Sequence, residues 1–137
     1  MRFYCTDDTV DLEQYPYHVR DVHISDPFIL ADPKSRCYYT YVQFADTKRF
    51  PDVETDKEHG VFYVLESKDL IHWSKPQICF RQNNFWADKD YWAPEVHIWK
   101  GRYYLFSSFR ANGHYRKCQC LVSDSDRKST RLTPVTA

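Results

Sequence analysis

An all-β fold follows from three features of the sequence. Aromatic residues make up 18% of the chain, with eleven Tyr, nine Phe and four Trp, and such rings sit well on the pleated face of a sheet. Short runs of β-branched and aromatic residues are separated by polar turns, which is the spacing of strands. Apolar residues hardly recur at the helical period.

A first strand is expected at 27–31, started by Pro27 and filled by Phe28, Ile29 and Leu30. Asp32-Pro33-Lys34-Ser35-Arg36 has the composition of a turn and leads into a second strand at 37–44. Residues 45–59 are charged and include Pro51, so they read as a loop inserted between strands. A third strand follows at 60–66, and a fourth at 76–80. Three more are expected at 94–99, 102–109 and 117–123, with Lys100-Gly101 forming a tight hairpin between the first two of these.

The pattern also repeats. Asp26-Pro27-Phe28-Ile29-Leu30, a turn and Tyr38-Tyr39-Thr40-Tyr41 are answered by Ala93-Pro94-Glu95-Val96-His97, a turn and Tyr103-Tyr104-Leu105-Phe106. Each unit runs on into a third strand ending near a serine, Ser67 in one and Ser123 in the other. Repeating antiparallel units of this kind fit blades of a β-propeller. A β-sandwich is the architecture that competes with it.

Length and charge narrow the function. At 137 residues and 16.5 kDa the chain holds one ordinary domain. Lys plus Arg and Asp plus Glu both total 19, which removes the electrostatic case for nucleic acid or an anionic membrane as partner. No apolar run is long enough to span a bilayer. Asp7 and Asp8 fall where a secretory signal would be apolar, so a cytoplasmic location is expected. The five cysteines form an odd set without CxxC spacing, which reads as reduced, buried thiols rather than disulfides or zinc ligands.

Three motifs then carry a resemblance. His23-Ile24-Ser25-Asp26-Pro27-Phe28-Ile29-Leu30, with Tyr38-Tyr39 behind it, resembles the first-blade signature of glycoside hydrolase family 43. Ser67-Lys68-Asp69-Leu70-Ile71-His72-Trp73 resembles an outer-strand segment of that family, in which the tryptophan packs the blade edge. Tyr91-Trp92-Ala93-Pro94-Glu95-Val96-His97 followed by Gly101-Arg102-Tyr103-Tyr104 resembles its second-blade signature. The resemblance implies a five-bladed propeller of which about two blades are present, over residues 1–125, with the active site at one mouth of the axis. It implies hydrolysis of arabinan- or xylan-type glycans with inversion, and an oligosaccharide or polysaccharide as partner.

By the same resemblance Asp26 is the general base, an ionised carboxylate that takes a proton from the attacking water. Asp-Pro pairs also start ordinary turns, so the role rests on the surrounding motifs. Glu95 stands where the family often has aspartate and is expected to line the pocket, not to serve as acid. Trp92 is the candidate for stacking on a sugar face, and Phe28 and His97 are further pocket candidates. The family's pKa-tuning aspartate and general-acid glutamate have no match here, so the catalytic set is expected to be partial. No cofactor is implied. A structural ion lies on the axis of many family members, with ligands drawn largely from other blades, and no metal ligands are assigned in this sequence.

Residues 126–137 break the blade pattern: they lack alternation and aromatics, and their charges bunch at the start. Their order resembles the in-frame translation of a short-read sequencing adapter, so they are read as a non-native tail. On the residues alone, a non-catalytic carbohydrate-binding propeller is the alternative function.

Overall fold

A computed structural model describes residues 10–43, 61–81 and 85–123, together with the backbone of 133–134. Two antiparallel sheets pack against each other, and a single 3-10 turn at Val19–Asp21 is the one helical element among the described residues. The strands are β1 (Tyr17–His18), β2 (Phe28–Asp32), β3 (Cys37–Val42), β4 (Val61–Ser67), β5 (His72–Trp73), β6 (Gln77–Arg81), β7 (Lys89–Trp99), β8 (Arg102–Arg110), β9 (Lys117–Ser123) and β10 (Thr133–Pro134). In the first sheet β2, β3, β4 and β6 form a meander, with β5 also on β4 and β1 on β5. The second runs β7, β8, β9, β10. All seven expected strands are present.

Local chemistry makes the turns. Asp32 accepts from the Lys34 amide and the Ser35 hydroxyl, both at 2.9 Å, and its carbonyl takes the Arg36 amide. Lys100 (φ 48°) and Gly101 (φ 76°) both lie in the left-handed region, the geometry of a two-residue hairpin that matches strand twist. The expected loop at 45–59 lies outside the described residues. So does most of the 126–137 tail, apart from the backbone of β10 beside Leu121 and Val122.

Three expectations need correcting. β7 starts at Lys89, well before Pro94, because register shifts on either side of Trp92 let the ladder continue past a proline that cannot donate to it. The two-residue strand β1 has no sequence signal, since it exists through the pairing of Tyr17 with Trp73 and His18 with His72 in β5, the end of the expected outer-strand segment, where Trp73 is buried. The thiols are not all buried: Cys37 and Cys79 are, but Cys118 is exposed and Cys120 half-buried, because they share the open face of β9. Burial pushes the Cys79 thiol up to about 12.

The aromatic content builds the core rather than a surface. Between the sheets Phe62, Phe80, Phe85, Tyr91 and Phe109 meet edge to face or tilted, with centroids 5.0–6.2 Å apart. β4 is apolar on both faces: Phe62 and Val64 enter this cluster, while Val61, Tyr63 and Leu65 enter a second one closed by Trp73 and residues of the N-terminal segment. That segment is tied down by the Tyr15 hydroxyl, which donates to Glu66 at 2.6 Å.

The Ser67–Trp73 motif is a double cap. The Ser67 hydroxyl accepts from the Leu70 amide at 2.9 Å, and Asp69 Oδ1 accepts from the amides of Ile71 and His72 at 2.8 and 2.7 Å. Asp69 Oδ2 lies 2.7 Å from His72 Nδ1. Burial alone would raise the Asp69 carboxyl, but the bonds from His72 and its neighbours outweigh it and hold the group at about 2. A depressed carboxyl stabilises the fold above its unfolded value of 3.8 and loses that contribution as pH falls through about 2. Asp69→Asn is therefore expected to cost about 2 kcal/mol at pH 7 and to flatten the acid limb of the stability profile. Urea unfolding at pH 7 and pH 2.5 checks this, and an equal loss at both would contradict it.

Candidate active site

The inner strands β2 and β7 carry the candidate residues. Phe28, half-buried, meets the His97 ring at 5.4 Å. From that contact a cleft of about 580 Å³ runs between the strands, walled by Phe28, Leu30, Asp32 and Lys34 on one side and by His97, Ile98 and Gly101 on the other. Both walls are followed in chain order away from the same contact, so the strands run in the same direction. Asp26 and Glu95, each two residues upstream of a touching ring, lie at the end away from the cleft, whose lining does not include them.

The backbone at that end is unusual twice over. Asp26 has φ 51° and Ala93 has φ 50°, and each precedes a proline. Proline biases the residue before it toward extended conformations, and only glycine, asparagine and aspartate enter the left-handed region readily. The same sharp turn thus recurs in both repeats, at a strain that structures retain where the surroundings fix it. Asp26 is exposed, and among the described residues it makes no hydrogen bond or ion pair.

The remaining candidates cluster on β7. Glu95 accepts from His97 Nε2 at 2.6 Å, with both side chains about half exposed. His97 also lies 6.0 Å from the Phe106 ring. Trp92 is 49% exposed, and the Ser107 hydroxyl donates to its carbonyl at 2.5 Å. Phe28 and His97 thus share the cleft and Glu95 joins them through His97, whereas Asp26 and Trp92 are not among the residues that line it. His23, expected to be a packing residue, is exposed.

Sequence reasoning missed one member of the group. Arg116, from the start of the last long strand, lays its guanidinium 3.6 Å from the centre of the Trp92 ring. No motif marks it, because the contact depends on the pairing of β7, β8 and β9. As for ions, no three His, Cys, Asp or Glu side chains converge among the described residues.

Comparisons with known proteins agree with this geometry. The model of the family "Glycosyl hydrolases family 43" matches residues 18–130. An endo-arabinase structure from Bacteroides thetaiotaomicron is 32% identical with a TM-score of 0.71, over 89% of this chain and 38% of that one. A thermostable family-43 glycoside hydrolase is 25% identical, with a TM-score of 0.61, over 82% of this chain and 32% of that one. A β-xylosidase/α-arabinofuranosidase from a compost metagenome, solved with xylotriose, is 19% identical with a TM-score of 0.58, over 81% and 34% of the two chains, and so shares the fold. No curated protein matches. The class is therefore that of the glycosidase β-propellers, of which two blades are seen here. The chain belongs to glycosyl hydrolases family 43, and it spans 38% of the length of the arabinase it resembles.

Proposed function

We propose that the protein is an inverting glycoside hydrolase of arabinan- or xylan-type glycans, with Asp26 as its general base. The observation that carries this reading is the exposed Asp26, which makes no hydrogen bond or ion pair among the described residues and sits at a left-handed turn just before the inner strand β2. An inverting base must be ionised and reach a water on the far face of the sugar from the acid, with the two carboxyls about 6.5–9.5 Å apart. A solvated carboxylate without an ion-pair partner suits that task. Glu95, engaged with His97 at 2.6 Å, is placed to orient a sugar hydroxyl rather than to donate the proton. The acid is assigned to a carboxyl outside the described residues.

Trp92 supplies an apolar plane for the C–H face of a pentose, and Phe28 and His97, in contact with each other, are read as further pocket residues. Arabinan is the favoured substrate, because the 32%-identical structure is an endo-arabinase. The complete gene product is expected to cleave arabino-oligosaccharides and to release sugar of inverted anomeric configuration, as read by proton NMR in the first minutes of reaction. Retention of configuration would refute the base assignment. Binding without cleavage would instead favour the non-catalytic carbohydrate-binding alternative.

A further inference from the structure

The geometry points to Arg116 as a positioning residue that braces the Trp92 indole as a sugar platform. This inference rests on the stacking role of Trp92 proposed above and adds to it the residue that holds the ring still. Trp92 sits in a poorly paired stretch of β7. Its neighbours in the ladder shift register on both sides, so Ser108 is its one strand partner between Lys89 and Glu95. Asp90 (φ 53°) and Ala93 (φ 50°) flank it in the left-handed region. A half-exposed side chain on such a bulge has several staggered rotamers open to it, and ordering it on binding costs affinity.

Arg116 removes that freedom. Its guanidinium lies 3.6 Å from the ring centre, the distance of a plane stacked on a plane. The group is itself fixed from three sides: Nη1 donates to the Asp90 carbonyl at 2.9 Å and to the Ser108 hydroxyl at 3.1 Å, and Nη2 pairs with the Asp90 carboxylate at 3.3 Å. Arg110 holds the same carboxylate at 3.5 Å, so Asp90 is anchored in turn. One face of the indole is thereby occupied by a rigid cation, and the opposite face is the one left for a sugar. Lysine could not replace this arrangement, because a point charge on a flexible stem neither stacks nor forks between three acceptors. The other exposed tryptophan of β7, Trp99, is met among the described residues by the flexible Lys100 ammonium at 4.4 Å and by an edge contact with Tyr104.

The test is a double-mutant cycle read by binding, which needs no catalytic acid. Arabinotriose is titrated into the complete gene product and into Trp92→Ala, Arg116→Ala and the double variant, with affinity measured calorimetrically. Trp92→Ala is expected to weaken binding about tenfold and Arg116→Ala about three- to tenfold. The double variant is expected to lose no more than Trp92→Ala alone, since a brace has nothing to hold once the ring is gone. Arg116→Lys keeps a charge beside Asp90 and covers the case in which the alanine variant fails to fold; it is expected to bind more weakly at an unchanged melting temperature. Additive losses in the double variant, or full affinity in either Arg116 variant, would overturn the brace and leave the Trp92 platform standing. Full affinity in Trp92→Ala, or no binding of arabinotriose by the unaltered protein, would overturn the platform and the brace together.

Discussion

Asp26→Asn in the complete gene product is expected to lower kcat on arabino-oligosaccharides by about 10²–10⁴-fold, the usual contribution of a positioned general base. Asparagine keeps the shape of the side chain and tolerates the left-handed backbone that position requires, φ 51°. The substitution therefore removes the charge without unfolding the turn. KM is expected to stay within a few-fold, because the base acts on water and contributes little to holding the sugar in the ground state. Steady-state kinetics on a defined oligosaccharide, with melting temperature as the control for folding, reads the result. Activity within tenfold of the unaltered protein would remove Asp26 from the mechanism.

The largest stability loss is expected from Phe109→Ala, about 3–5 kcal/mol. Phe109 is fully buried at the centre of the interface between the two sheets. Its ring meets Tyr91 and Phe85 at 5.0 Å and Phe62 at 5.9 Å, so truncation opens a cavity against residues of both sheets. Those neighbours are themselves interlocked and cannot collapse into the space, which places the cost toward the upper end for such a change. Phe109→Leu, which keeps most of the volume, is expected to cost clearly less. Equilibrium urea unfolding separates the two, and a loss below about 1 kcal/mol for the alanine variant would mean that the sheets do not depend on this contact. The test bears on function as well, since the packing of the two sheets sets the spacing of β2 and β7 and hence of Asp26 and Glu95.

Much of the fold was legible because its signals are local. Lys100-Gly101 reads as a hairpin turn, since the glycine enters the left-handed region without steric cost, and the structure has that turn. Asp32 followed by Pro33, Lys34 and Ser35 reads as a turn because the carboxylate can accept from the residues just ahead of it, and it does. Strands such as Lys117–Ser123 were found within their observed bounds. The start of β7 was not, because proline at position 94 normally ends a ladder, and only bulges at Asp90 and Ala93 let the pairing resume upstream. β1 escaped notice because two residues carry no period, and its pairing with β5 brings together segments far apart in sequence.

The candidate site divides along the same line. By itself the sequence determined the family and the repeat of the two blades, because motif order and turn chemistry are properties of neighbouring residues. Only the tertiary structure decided that Phe28 touches His97 across the cleft and that Glu95 is engaged by His97. It also showed that Trp92 is covered by an arginine whose anchor, Asp90, lies 26 positions away. Those meetings depend on strand register, sheet twist and the packing of one sheet on another. Each is set by the sum of many weak contacts across the core, and no short stretch of sequence contains that sum.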